Sequence, residues 1–257
     1  MGGGRGLFST DQLKRKAGDL NSIGAGVLRN RPLASLSADD SALLAPHLTE
    51  VEFPQGQILV DVDDRISHVY FPQSGIVSFV MVTSAGQSVE AATIGREGIV
   101  SAVSVLGTGV SMVQSMVQIP GSGFRMEASR FIAAVEQNRN IRRMVDLCAE
   151  GLTGQSLQSI ACMAFHGVEA RMARWLLTAR DQIDSNTIPL TQEFLGQMLG
   201  CQRTTVTLAA HTLQAAGIIQ YRRGKVQILS ADALQEAACE CYAQSKQRLE
   251  RIFPSWT

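Results

Sequence analysis

The sequence predicts the α+β class, with short strands first, long helices after them, and a compact helix–helix–hairpin unit near the end. Three patterns carry that reading. Residues 51–125 hold alternating or β-branched runs (VEFPQGQILV, HVYFPQSGIVSFVMV, QSVEAATIG, VSMVQSMVQIPGSGF) parted by Pro-Gln-Gly, Gln-Ser-Gly, Ala-Gly-Gln and Gly-Ser-Gly. Such spacing suits a small antiparallel barrel or sandwich. From about residue 140, Ile141, Met144, Val145, Cys148 and Leu152 recur at helical spacing. Residues 190–229 then give two short amphipathic segments, a glycine turn and a basic hairpin.

Taken in order, residues 1–30 form a glycine-rich, basic arm expected to be flexible. Short helices are expected from about residue 31 to 45, and the strand region follows. Helical periodicity returns at Glu127, with Phe131, Ile132 and Val135 in a short first segment and the Ile141–Leu152 stripe in a longer second one. Its positions Ile141, Met144, Cys148 and Gly151 step by the three and four residues that a helix–helix seam requires, and Leu152 beside them completes the candidate dimer helix. The same stripe could instead pack on the chain's own strand domain, with Val145 and Leu152 as the self-packing edge. His166-Gly167 breaks the helix, and ARMARWLLTARDQI resumes helical patterning up to Asn186.

In the last unit Thr191 is a helix N-cap, and Glu193 just inside it meets the positive end of the helix dipole. Leu195, Met198 and Leu199 follow, and Gly200 lets the helix stop and turn sharply. A second helix opens near Gln202, with Val206, Ala209, Ala210 and Leu213 on one face and Arg203, Thr204, Thr207, Leu208 and His211 on the other. Gly217 ends it. Ile218, Ile219 and Tyr221 then lead into Arg222-Arg223-Gly224-Lys225, and Val226 and Ile228 alternate beyond. Two helices, a tight turn and a basic wing make a winged helix-turn-helix, shaped to lay its second helix in a DNA major groove. Paired amphipathic helices also occur in ordinary cores. Here, however, the outer face is short and hydrogen-bonding, its first turn carries an arginine, and three cations sit at the hairpin tip. Gln202, Arg203, Thr204, Thr205 and Thr207 are therefore candidate base or phosphate contacts, with Arg222, Arg223 and Lys225 as backbone anchors.

Charge is balanced overall, with 23 Lys/Arg and 23 Asp/Glu, but unevenly placed. Residues 1–32 hold six cations against two anions, residues 33–130 four against ten, and residues 160–230 seven against four. A basic module beside an acidic one fits a chain in which one part binds nucleic acid and another does something else. No apolar run reaches membrane-spanning length and no signal-peptide core is evident, so a cytoplasmic protein with five reduced cysteines is expected. No nucleophile–base motif or phosphate loop points to an enzyme.

The runs VYFPQSGIVSFV with VEAATIGREGIV, HGVEARMARWLL, and LTQEFLGQMLGCQRTTVT together resemble the Crp/Fnr family of bacterial transcription regulators, over about residues 30–245. The resemblance implies a cyclic-nucleotide-binding-like β-roll (31–137), a dimerisation helix and hinge (138–166), and a winged helix-turn-helix domain with a C-terminal helix (167–257). It also implies a homodimer on a two-fold related DNA site, with RNA polymerase as a partner at promoters. Where cyclic-AMP-binding relatives carry a ribose glutamate, this chain has Gly95-Arg96-Glu97-Gly98, and Ser111 and Met112 fall in the stretch where the phosphate arginine would stand. Gly95, Arg96, Glu97, Ser111 and Met112 are thus the candidate effector pocket, expected not to hold cyclic AMP in the usual mode. A solvated turn is the plainer expectation for Arg96 and Glu97.

No cofactor is expected. The iron–sulfur mechanism of oxygen-sensing relatives uses cysteines near the N-terminus, and this chain has none before Cys148. His68 alone is placed to ligate haem, and a histidine beside an aromatic strand is more often structural. Cys239-Glu240-Cys241, read as helical, has thiols that diverge and no second pair to complete a zinc site, so no metal is expected. Cys148 and Cys162 could act as a thiol switch. On the second helix the family commonly has Ser-Arg-Glu-Thr; here the run is Gln202-Arg203-Thr204-Thr205, so a different operator is expected. Two other readings are a ligand-binding regulatory protein with no DNA role, and a DNA-binding regulator that needs no ligand.

Overall fold

Gly and Pro punctuation divides the first half of the described chain into seven strands and a few short helices. The computed structural model describes residues 28–253, so residues 1–27 of the expected arm lie outside the described residues. Helices α1 (Arg31–Ala34) and α2 (Ala38–Leu44) lead into β1 (Thr49–Phe53), β2 (Ile58–Val60), β3 (His68–Pro72), β4 (Ile76–Val82) and β5 (Ser88–Ile94). Helix α3 (Ala102–Leu106), β6 (Gln114–Ile119), β7 (Gly121–Glu127) and α4 (Ala128–Gln137) complete the β-domain. Two antiparallel sheets, ordered β1-β7-β3 and β2-β6-β4-β5, share a core of Phe53, Val77, Ile94, Val100 and Val117. Gly121 and Gly123 permit one close approach, since a Cβ there would stand within 2.4 Å of the Ser74 or Phe71 carbonyl oxygen.

The long helix α5 (Arg139–Phe165) begins at Asn138, whose side chain accepts from the amides of Asn140 and Ile141. Helix α6 (Val168–Ile183), β8 (Thr187–Pro189), α7 (Gln192–Leu199), α8 (Arg203–Ala215), β9 (Ile219–Arg222) and β10 (Lys225–Ile228) form the winged unit, followed by α9 (Ala231–Ala237) and α10 (Cys241–Ile252). The wing has a third strand that sequence reading missed: β8 joins a sheet ordered β8-β10-β9. Three residues ending in proline are too few to show a period.

The expected dimer stripe is corrected. Ile141, Met144 and Val145 are buried in this chain's own core with Leu33, Phe71, Met126 and Phe131. Cys148 is packed against the same cluster, and Leu152 against the inter-sheet core. At Gly151, Ile252 of α10 lies where a Cβ would meet it at 3.2 Å. The first half of α5 is thus spent on the β-domain and on α10, and its apolar residues answer an intramolecular demand. The exposed large apolar positions of α5 come later, at Leu157 (62%), Ile160 (60%), Met163 (38%) and the terminal Phe165 (82%).

The winged unit also leans on the β-domain. Ile76 and Ile119 belong to the same core as Met172, Trp175, Leu195 and Val206. Glu90 of β5 accepts from Trp175 Nε1 at 2.9 Å and from Ser78 Oγ at 2.5 Å. Arg96 joins the same contact from the turn after β5. It pairs with Asp184 at 2.7 Å and donates to the Asp181 carbonyl, while Arg29 pairs with Asp184 at 2.6 Å. The solvated turn expected for Arg96 and Glu97 is therefore corrected. Arg96 is a mostly buried inter-domain tie, and Glu97 is buried with its carboxylate accepting from the Gly95 amide at 3.0 Å.

Candidate nucleic-acid interface

Helix α7 starts as expected, with Thr191 Oγ1 accepting from the Phe194 amide at 3.3 Å, and stops at Gly200 in the left-handed region (φ +57°). That stop frees the chain to turn into α8, whose apolar face (Val206, Ala209, Ala210, Leu213) is buried against α6 and the wing sheet. The other face points outward. Gln202, Arg203, Thr204, Thr205, Thr207, Leu208 and His211 are all exposed, and the Gln202 side chain caps none of the first amides of α8. The Thr207 hydroxyl is turned back, donating to the Arg203 carbonyl at 2.9 Å and to Gln192 Oε1 at 3.2 Å. Leu208, 65% exposed, stands among these polar groups.

The wing tip is a two-residue hairpin, with Arg222 paired to Lys225 and both Arg223 (φ +49°) and Gly224 (φ +74°) left-handed. That is the mirror-image turn that suits the strand twist, and arginine is an uncommon residue for its first central position. Arg222, Arg223 and Lys225 are all exposed. The structure thus gathers all eight predicted contacts onto one domain, five along the outer face of α8 and three at the tip.

The predicted effector pocket does not assemble. Met112 is 69% exposed, and Ser111 is buried, donating to the Val113 carbonyl at 2.7 Å. Of the five, only Glu97 lines a cavity of about 400 Å³ between the turn after β5, the middle of α5 and α10, together with Ile99, Cys148, Leu152, Gln155 and Leu249 among others. Sequence reading missed it because α10 forms one wall, and nothing local ties residues 245–253 to residues 93–103. Within it burial pushes the Cys148 thiol up to about 12, away from its nucleophilic thiolate form. His68 sits at a strand start, its Nδ1 3.0 Å from Ser67 Oγ.

Cys162, His166, Cys239 and Cys241 form a second constellation that sequence reading missed. Their ligand atoms all lie within 4.8 Å of one another. The reading of Cys239 and Cys241 as residues of one helix with diverging thiols is corrected: α9 ends at Ala237 and α10 begins at Cys241, and the break turns both sulfurs inward. The signal available was Cys162-x-x-x-His166, an i,i+4 pair on one helix face. The His-Gly break masked it.

The described chain is thus a two-sheet β-domain joined by a long helix to a winged helix-turn-helix unit. Residues 170–237 match the Crp-like helix-turn-helix domain. The fold as a whole is that of the Crp/Fnr regulators. FixK2 from Bradyrhizobium japonicum superposes with a TM-score of 0.63 at 16% identity, covering 75% of this chain and 98% of that one. The c-di-GMP responsive global regulator CLP from Xanthomonas campestris gives 0.62 at 15% identity, covering 76% and 100%. A CRP-family transcriptional regulator from Thermus thermophilus gives 0.62 at 15%, covering 73% and 96%. No curated protein matches the sequence significantly. Among the described residues, no helix is long and apolar enough to cross a membrane.

Proposed function

We propose that this chain is a sequence-specific DNA-binding transcription regulator that acts as a homodimer on a two-fold related operator. The observation that carries it is the outer face of α8, exposed along its length and continuous in chemistry with a three-cation wing tip. Arg203 in the first turn reads a guanine edge or grips a phosphate, and Thr204 and Thr205 bond base edges or backbone. Leu208, which a solvated helix would not need, meets a thymine methyl. Arg222, Arg223 and Lys225 neutralise phosphates.

Two modules held about one helical turn apart read two half-sites on one face of the duplex, which a single module cannot do. Leu157, Ile160 and Met163 supply the exposed apolar row for that pairing. The hinge after Phe165 lets each winged unit move relative to α5. The packing of Trp175 on Glu90 is one end of that motion, and DNA selects another. Cyclic AMP is not the signal in the usual mode, because no Lys or Arg stands between Glu97 and Arg125 to pair a cyclic phosphate, and Arg96 is committed to Asp184.

Selection of bound sequences from a random duplex library, with the untreated full chain at stated salt, tests this. A sharp two-fold motif is the expected result. Salt-sensitive retention with no motif would reject specific, ligand-independent binding, and repeating the selection with cyclic dinucleotides then tests for a missing effector.

A further inference from the structure

The last turn of α5 carries Cys162 and, four residues on, His166 at its C-cap. Four residues along a helix bring two side chains onto one face, so both point away from the axis in the same direction. Opposite them the chain breaks between α9 and α10. Ala238 is extended (ψ 152°), Glu240 returns to helical angles, and Cys239 and Cys241 flank it. The break brings Cys239 Sγ to 3.5 Å from Cys162 Sγ, and Cys241 Sγ to 3.5 Å from His166 Nδ1. All three cysteines are buried.

We propose that Cys162, His166, Cys239 and Cys241 bind one divalent zinc ion as a closed tetrahedral clip between the hinge and the end of the winged domain. Metal–sulfur bonds of about 2.3 Å and metal–nitrogen bonds of about 2.0 Å place tetrahedral ligand atoms about 3.5–3.8 Å apart, and two of the pairs lie at 3.5 Å, with all four atoms within 4.8 Å of one another. Three thiols and one imidazole are soft and borderline donors, suited to zinc and poorly suited to magnesium or calcium. A multi-iron cluster would need its ligands spread around a larger core.

The surroundings match those of a bound metal. His166 presents Nδ1 to the cluster while Nε2 lies 3.2 Å from a Glu240 carboxylate oxygen, the outer partner that fixes a ligating imidazole's tautomer and orientation. Gln158 Nε2 donates to Cys241 Sγ at 3.0 Å, as an amide does to a metal-bound thiolate. Four protein ligands leave no open position, so the ion is structural. Binding replaces three S–H protons by metal–sulfur bonds and releases those protons, with no change of oxidation state.

The clip closes a loop containing the whole winged unit, since two ligands precede α6 and two follow α9. Its occupancy therefore sets how far that unit can swing about the hinge. Metal binding itself does not depend on the DNA-binding reading, and the two fail separately.

The test is metal content of the full chain, reconstituted with zinc under reducing conditions and freed of excess, with cobalt(II) as a spectroscopic probe. About one zinc per chain is expected, along with intense red absorption and a thiolate charge-transfer band from tetrahedral cobalt. Cys162→Ser and Cys239→Ser should abolish both signals, whereas Cys148→Ser and Cys201→Ser should keep them. Glu240→Gln, which leaves all four ligands in place, should weaken zinc binding by about 10–100-fold. A wild-type chain that stays folded yet takes up no metal would overturn the proposal, as would retention of zinc by the Cys162→Ser/Cys239→Ser double variant. So would iron with inorganic sulfide in place of zinc, or a Cys162–Cys239 disulfide in a chain that takes up no zinc once reduced.

Discussion

Glu90 lies inside the contact between β5 and α6, where one oxygen accepts from Trp175 and the other from Ser78. Burial pushes its carboxyl from an ordinary 4.5 up to about 7, an effect only partly offset by those two hydrogen bonds. The raised value means the folded chain holds the proton more tightly than the unfolded one. Glu90 therefore contributes stability that is complete below about 4.5 and lost as pH rises through about 7, on the order of 3 kcal/mol in all. Glutamine can accept from Trp175 and donate to Ser78, so Glu90→Gln should flatten that part of the stability profile between pH 5 and 8 in urea unfolding. An equal slope in the variant would place the titration elsewhere. On the outer face of α8, the proposed DNA contact, Arg203→Ala should cost about 1–3 kcal/mol of specific binding and relax preference at one position of each half-site, read by repeating the library selection. Lys225→Ala should instead weaken all sequences alike and make the salt dependence shallower by about one counterion per half-site, measured by titration at several salt concentrations.

Helix α5 does two jobs along its length. Its first half is an intramolecular strut, with Ile141, Met144 and Val145 in the β-domain core. Its second half leaves Leu157 and Ile160 bare, three residues apart on one face. Leu157→Glu with Ile160→Glu should convert the proposed dimer to a monomer in light scattering while leaving the helical circular dichroism unchanged, because neither residue supports the chain's own core. The α7–α8 turn is tighter. Gly200 is left-handed, and an added Cβ would come within 2.9 Å of Val89 Cγ2 on β5. Gly200→Ala should cost roughly 1–2 kcal/mol from backbone strain alone, measured by chemical unfolding. The close approach to Val89 adds to that cost unless the docked contact opens.

For the molecule as a whole, the winged unit is held to the β-domain by three different kinds of contact. There is a shared apolar core through Ile76 and Ile119, a buried carboxylate at Glu90, and an ion-pair tie in which Arg29 and Arg96 converge on Asp184. The guanidinium of Arg96 holds the Asp184 carboxyl below its ordinary range, so this tie weakens as pH falls, in the opposite sense to Glu90. Docking is thus favoured by acid at one contact and by neutral pH at another. Helix α10 adds a fourth link, reaching from the winged unit back to α5 at Gly151 and walling the cavity beside Glu97.

The chain by itself determined the kinds and order of its elements. Alternation with Gly and Pro punctuation specified the strands, helical periodicity specified α5 and α6, and Thr191, Gly200 and the Arg222–Lys225 tip specified the winged unit. These signals are local, carried by neighbours within one or two turns, and the proposed DNA contacts could be grouped in advance because they share one short helix and one hairpin. Whether Ile141 and Met144 face a partner or their own domain was not legible, since an apolar stripe has the same period in either case. Nor could sequence show that Arg96 reaches Asp184, that α10 closes a cavity, or that Cys162 and His166 meet Cys239 and Cys241. Each of those depends on groups more than seventy residues apart, and only packing of the folded chain sets such distances.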